Sequence, residues 1–132
     1  MNPERLYKKK AKENYDVAKS CKATHPNVSA SRLYYALFQG SVGEFEKEHV
    51  QPQQIDRGAA DAMEQRGQKW THSFVKNNGG LIGLSPRQCD IIRQAWMLRV
   101  VADYSLKEVN ASQLDELIER AADILECLGV IG

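Results

Sequence analysis

The sequence predicts an all-α fold, an up-and-down bundle of four to five helices that forms one domain over residues 1–132. Apolar residues recur at spacings of three and four, the period of helices with one buried face, and no stretch alternates steadily at period two. The connections are too short for a second domain. With 132 residues and 42% hydrophobic content, the chain is large enough to bury one core without a disulfide.

The first two helices are predicted on either side of a proline turn. Residues 3–22 carry one apolar stripe, formed by Tyr7, Ala11, Tyr15, Ala18 and Cys21. Pro26 ends this helix, because the residue before a proline is pushed out of the helical region. The second helix is predicted from Ser29, a good N-cap, to about Val50.

The second helix has two different faces. Its apolar stripe consists of Ala30, Leu33, Tyr34, Leu37, Phe38 and Phe45. Its other face carries Arg32, Ala36, Gly40 and Gly43 in succession. Each helical glycine costs up to about 1 kcal/mol against alanine, so the two glycines indicate that another backbone packs closely there.

The later helices have clearer boundaries. A third helix is predicted over residues 55–75, and the Asn-Asn-Gly-Gly of residues 77–80 is the clearest loop. The fourth helix begins with Ser85 as N-cap, a proline at its first position and Gln88 completing a capping box, and it runs to Tyr104.

The fifth helix is predicted from an N-cap at Asn110, with Gln113 three residues later, to a stop at Gly129. Its core stripe consists of Leu114, Leu117, Ile118, Ala121, Leu125 and Leu128.

Composition excludes several classes of protein. The three cysteines are far apart and odd in number, which excludes a disulfide framework or a Cys-x-x-Cys site. No histidine or cysteine cluster indicates a metal, and we expect no cofactor. No run approaches the roughly 20 apolar residues of a membrane span, and the amino terminus lacks an apolar signal segment, so we expect a cytoplasmic protein without membrane contact.

Charge is distributed unevenly. Residues 1–22 hold seven basic groups and three acidic ones, whereas residues 103–132 hold seven acidic groups and two basic ones. The first and last helices can therefore attract each other or present separate faces to partners. The lysines at 8–10 and 12 fit a solvated helix face better than a phosphate-binding one, because consecutive lysines point about 100° apart.

Two arginines stand among bulky apolar residues inside predicted helices, Arg32 in the second and Arg99 in the fourth. Such an arginine needs a carboxylate, a carbonyl or a phosphate, because an unpaired buried charge costs several kcal/mol. Asp103 follows Arg99 by four residues and shares its helix face. The pattern leaves open a structural ion pair or a site that binds a ligand.

The segments around these arginines resemble a known family. Residues 31–38, Ser-Arg-Leu-Tyr-Tyr-Ala-Leu-Phe, look like the S-R-x-Y-Y-A-x-F signature of HEPN domains. Residues 99–104, Arg-Val-Val-Ala-Asp-Tyr, are similar to the R-x-x-A-D-Y of the fourth helix in many bacterial and archaeal members. The order and spacing of the motifs match over about residues 5–128.

The resemblance implies a HEPN-like bundle that forms a homodimer, often encoded beside a minimal nucleotidyltransferase as a toxin–antitoxin pair. Many members are metal-independent ribonucleases whose R-x4-6-H motif sets an arginine and a histidine of each copy against the scissile phosphate. Arginine binds phosphate with a planar fork, and histidine titrates near neutrality. The candidate catalytic residues are therefore Arg99, Asp103 and Tyr104, and the candidate phosphate- or RNA-binding residues are Arg32 and Arg99.

The chain departs from the ribonuclease motif, because no histidine follows Arg99 within seven residues. Asp103 and Tyr104 occupy that stretch, and a carboxylate beside an arginine stays ionised and is a poor base at pH 7. A literal R-x5-H does run from Arg66 to His72, but it lies in the third helical segment. We attribute it to chance and expect His72 to be solvated or hydrogen-bonded beside a tryptophan.

Three functions remain open. The first is an RNA-binding toxin-like component, with or without cleavage, whose cleft lies at a homodimer interface that Gly40 and Gly43 allow. The second is a non-catalytic module that binds a minimal nucleotidyltransferase or another partner. In that case Arg32, Arg99 and Asp103 form a buried network, and removing either arginine lowers stability. The third is a nucleotide-binding domain in which an arginine meets a phosphate.

Overall fold

A computed structural model describes residues 2–52 and 69–132. Within those two stretches every regular element is helical: α1 (Pro3–Cys21), α2 (Pro26–Lys47), α3 (His72–Asn77), a 3-10 turn (Gly79–Ile82), α4 (Pro86–Tyr104) and α5 (Ala111–Cys127). The predicted all-α helical bundle is confirmed at that level. None of these helices is long and apolar enough to cross a membrane.

The third predicted helix, over residues 55–75, lies largely outside the described residues. Its carboxyl-terminal end overlaps the short helix α3, which begins where the Thr71 side chain accepts a hydrogen bond from the backbone of Phe74. The glycine pair predicted as loop begins the 3-10 turn, which ends at Gly83 with a φ of 83°.

α2 is the central helix and packs against α1, α3, α4 and α5. It runs antiparallel to α1, because contacts pair the end of one helix with the start of the other. Lys8 of α1 bonds Glu44 near the end of α2, whereas Ala18 near the end of α1 meets Ser29 near the start of α2.

The predicted start of α2 is four residues too late, because the N-cap is His25 rather than Ser29. α2 begins at Pro26, because a proline at the first helical position already has the helical φ and needs no hydrogen-bond donor. Ser29 is therefore not an N-cap. It is fully buried, and its Oγ donates a hydrogen bond of 2.7 Å to the carbonyl of Ala18.

The starts of α4 and α5 are confirmed. Ser85 accepts from the Gln88 backbone while the Gln88 side chain accepts from the Ser85 backbone, so the capping box is complete. Asn110 caps α5 by accepting from the backbone of Gln113. Gly129 follows with a φ of 70°, as a helix-ending glycine does.

The core forms between these helices. The predicted stripe of α5 is buried in full, and the Tyr15 hydroxyl of α1 donates to the carbonyl of Ile118 at 2.9 Å. Lys22, just beyond the end of α1, pairs with Asp115 of α5 at 2.9 Å, and both side chains are about half exposed.

The glycine face of α2 packs inside the chain, which corrects its assignment to a homodimer interface. A Cβ on Gly43 would lie 2.9 Å from Cγ of Lys8 and 3.2 Å from the carbonyl oxygen of Glu4, both on α1. A Cβ on Gly40 would meet Val130, just beyond α5, at 3.1 Å. Both glycines are buried, so neither is open to a second chain.

Candidate functional site

Arg99 projects from the last turns of α4 and is 13% exposed. Its Nε donates to a carboxylate oxygen of Asp103 at 2.9 Å, and its Nη2 donates to the hydroxyl of Tyr35 on α2 at 3.1 Å. The ion pair between Arg99 and Asp103, one of the two alternatives that the sequence left open, is therefore present. The Asp103 side chain is 31% exposed, so this pair lies at the edge of the core.

Three tyrosine rings surround the guanidinium group. Its central carbon lies 5.3 Å from the ring centre of Tyr35, 5.7 Å from that of Tyr34 and 5.6 Å from that of Tyr104. Tyr104 is 74% exposed, so it is not an aromatic cap on the core. An arginine has five N–H donors, and two of them are used by Asp103 and Tyr35. The rings hold the group in place, and its remaining donors can bind an anion.

His72, the first residue of α3, reaches the same tyrosines. Its Nδ1 lies 2.8 Å from the hydroxyl oxygen of Tyr34, within hydrogen-bonding distance. Its ring centre is 4.7 Å from that of Phe38 and 6.0 Å from that of Tyr35, with the Tyr35 ring edge-on. The imidazole and the Arg99 guanidinium therefore contact one tyrosine pair on α2.

The surroundings of His72 favour its neutral form. Burial lowers the pKa of His72 below its ordinary value, and the nearby charges of Arg99 and Lys76 lower it further. Burial also raises the pKa of Tyr34 far above its ordinary value, so its hydroxyl keeps its proton. Since Nδ1 is engaged by Tyr34, Nε2 is the nitrogen that can exchange a proton with a ligand.

Arg32 stands apart from this group, which corrects its prediction as a buried partner. It is exposed, and its Nη1 donates a long hydrogen bond of 3.4 Å to Asn14 on α1. Asn14 in turn donates to Gln39 at 2.7 Å. Arg32 lies on the α1 side of α2, whereas Arg99 approaches α2 at Tyr34 and Tyr35. The two arginines therefore do not form one buried network.

The sequence prediction missed His72 and the two tyrosines as site residues. The R-x5-H pattern links His72 to Arg66, which lies outside the described residues, rather than to Arg99. A usable signal was nevertheless present in Tyr34. A buried tyrosine hydroxyl needs a hydrogen-bond partner, and a histidine in another helical segment can supply one.

Within residues 2–52 and 69–132, no group of three histidine, cysteine, aspartate or glutamate side chains is arranged to hold a metal ion. Comparison of the chain with protein-family models, curated proteins and solved structures gives no match. A function for the chain therefore rests on the chemistry of its own residues.

Proposed function

We propose that the chain is a HEPN-like RNA-binding protein that cleaves single-stranded RNA without a metal, and that Arg99 and His72 act on one phosphodiester. The proposal rests on one observation, that Arg99 and His72 contact the same two tyrosines. A cationic guanidinium and a neutral imidazole both rest on Tyr34 and Tyr35. Asp103 holds the arginine, and Tyr34 holds the histidine.

Each group has a separate role. The unused guanidinium donors of Arg99 bind the non-bridging phosphate oxygens, where negative charge increases during attack. His72 supplies the proton acceptor that the fourth helix lacks. When Nδ1–H donates to Tyr34, Nε2 carries a lone pair and can take the proton of a 2′-hydroxyl.

The proposed reaction is a transesterification. Nε2 of His72 accepts the 2′-hydroxyl proton as the 2′-oxygen forms a bond to phosphorus. The 5′-oxygen leaves with the electron pair of its phosphorus bond and takes a proton from water. The products are a 2′,3′-cyclic phosphate and a 5′-hydroxyl, and His72 returns its proton to solvent.

Tyr104 supplies a surface for a base. It is 74% exposed and lies beside Arg99, so its ring can stack on the base next to the bound phosphate. Stacking of this kind contributes about 1–3 kcal/mol per base and does not depend on sequence.

The test is incubation of purified protein with mixed single-stranded RNA in the presence of a chelator. Wild type, Arg99→Ala and His72→Gln are compared, with His25→Gln as the matched control because His25 is exposed at the turn between α1 and α2. We expect products that end in 2′,3′-cyclic phosphate, lowered at least about 100-fold in the first two variants and unchanged in the control.

A non-catalytic interaction module is the second candidate, and the Arg99–Asp103 pair favours it because the pair already neutralises the arginine. In that case the chain binds a partner protein such as a minimal nucleotidyltransferase. RNA left intact and unbound by wild-type protein would contradict RNA cleavage and support the module. Binding of ATP, but not adenosine, measured as a rise in melting temperature, would instead support a nucleotide-binding domain.

We further propose that the chain forms a homodimer on the exposed side of α4. Met97 is 61% exposed and Leu106, just beyond α4, is fully exposed. A second copy on this side would cover those side chains. Light scattering should give twice the chain mass for wild type and a lower mass for Met97→Glu. A monomeric wild type would exclude the dimer.

A further inference from the structure

A lysine and a tryptophan make a contact beside the proposed site. Nζ of Lys76, on α3, lies 3.6 Å from the centre of the Trp96 ring on α4. Both side chains are half-buried. An ammonium group over an indole face is attracted by the ring electrons but keeps its N–H donors. The contact therefore fixes a cation in place without using its hydrogen bonds.

This contact continues the proposed site along two helices. His72 and Lys76 are four residues apart on α3, while Arg99 and Trp96 are three apart on α4, so each pair occupies one helix face. Lys76 meets Trp96 at one end, and His72 meets the tyrosines that support Arg99 at the other. Trp96, which holds Lys76, and Arg99 are therefore about one helical turn apart, roughly 5 Å along the α4 axis.

The charge of Lys76 is not neutralised by a carboxylate among the described residues. Lys69 gives the contrast within the same chain. It also lies over a tryptophan ring, 5.2 Å from the centre of Trp70, but it pairs with Glu46 at 3.0 Å. Lys76 therefore presents a fixed positive charge that no carboxylate balances in the described part of the chain.

We propose that Lys76, held over Trp96, binds the phosphate adjacent to the one bound by Arg99, so that the site takes two successive phosphates of a single-stranded RNA. This inference rests on the proposed RNA-binding function. It adds a second phosphate position where α3 contacts α4. It also predicts the substrate class, a strand with at least two phosphodiesters rather than a mononucleotide.

The test uses two short uridine ligands that cannot be cleaved because their 2′-hydroxyls are methylated. The dinucleotide has one phosphodiester and the trinucleotide has two. Binding is followed by the indole N–H signals in NMR, because Trp96 lies under Lys76 and Trp70 lies under Lys69. Wild type, Lys76→Gln and the control Lys69→Gln are compared at 50 and 200 mM salt.

Each phosphate contact to a single strand contributes about 0.7 to the slope of log affinity against log salt. For the trinucleotide, the fourfold rise in salt should weaken wild-type binding about 7-fold and Lys76→Gln binding about 3-fold. The dinucleotide should bind wild type and Lys76→Gln equally. The Trp96 signal should move in wild type with the trinucleotide, whereas Lys69→Gln should behave as wild type does.

Failure of this inference is distinguishable from failure of the proposed function. If both ligands bind and Lys76→Gln leaves their salt slopes unchanged, Lys76 binds no phosphate while the Arg99 site stands. If neither ligand binds wild type, the RNA-binding function itself is wrong. If ATP binds more tightly than the trinucleotide, with the same dependence on Lys76, the two cations serve one polyphosphate and the RNA assignment is overturned.

Discussion

Replacement of Arg99 by alanine should destabilise the fold, whereas the same change at Arg32 should not. Arg99 is 13% exposed and donates to both Asp103 and Tyr35, while Arg32 is exposed and makes one bond of 3.4 Å. The two substitutions remove the same side chain from helices of one protein. The difference between their free energies of unfolding therefore measures how much the contacts of Arg99 stabilise the fold.

The magnitude follows from the contacts that are lost. A hydrogen bond to a charged group contributes about 1.5–3 kcal/mol when buried, and the 31% exposure of Asp103 reduces this to about 1 kcal/mol. The bond to the Tyr35 hydroxyl and the three ring contacts add about 1 kcal/mol together. We expect a total of about 2 kcal/mol for Arg99→Ala and less than about 0.5 kcal/mol for Arg32→Ala.

Thermal and urea unfolding, followed by circular dichroism, measure both variants. For a chain of this size, about 2 kcal/mol corresponds to a fall in Tm of roughly 6–10 °C, and the Arg32 variant should lie within about 2 °C of wild type. Arg99→Lys keeps the charge but loses the planar fork, so its Tm should lie between those of wild type and Arg99→Ala. Equal losses at the two positions, or an unchanged Tm for Arg99→Ala, would refute the assigned surroundings of Arg99.

Three further predictions concern packing and protonation. Gly43→Ala should lower the free energy of unfolding, measured in urea, by about 1 kcal/mol, because overpacking against Lys8 outweighs the helix propensity of alanine. Gly80 has open space around it, so Gly80→Ala should change the free energy of unfolding by less than about 0.5 kcal/mol. Tyr34→Phe should cost about 1 kcal/mol and give His72 mixed ring tautomers in ¹⁵N NMR, and a single unchanged tautomer would show that Tyr34 does not fix the ring. Since the folded state lowers the pKa of His72 below 6.5, the unfolded state binds more protons near that pH, and the free energy of unfolding should fall as the pH drops below about 6.5. His72→Gln should show a smaller fall between pH 7 and 5.

Local sequence signals correctly predicted the helix starts that are determined by a single N-cap. The capping box at Ser85 and the cap at Asn110 lie within three residues of their partners, so both starts were predictable. The start of α2 was missed because two local signals competed. Ser29 is a good N-cap, but Pro26 begins the helix and leaves Ser29 to bond Ala18 across the α1–α2 contact.

The site was only partly predictable, because its key contacts join distant residues. Arg99 and Asp103 are four residues apart, so spacing alone gave an ion pair as one of two alternatives. Tyr34 and His72 are 38 residues apart, so no short motif relates them. The glycines of α2 also could not be assigned from the sequence. The same glycine pattern arises whether the neighbouring backbone is α1 of the same chain or a helix of a second copy.

The family resemblance and its partners stay predictions. The two motifs singled out Arg99 and Asp103 on the fourth helix. What the structure adds is a histidine beside Arg99 that is supplied by α3 rather than by α4.

The most direct test of the central claim is to observe which histidine meets RNA. The chain has three histidines, and His25 and His49 are both exposed and lie outside the site. ¹⁵N NMR of the imidazoles is recorded while a 2′-O-methylated oligouridine is added. We expect the Nε2 signal of His72 alone to shift, with its pKa rising as a phosphate enters, and no such shift in Arg99→Ala. An unchanged His72 signal at saturating RNA would contradict a joint site of Arg99 and His72.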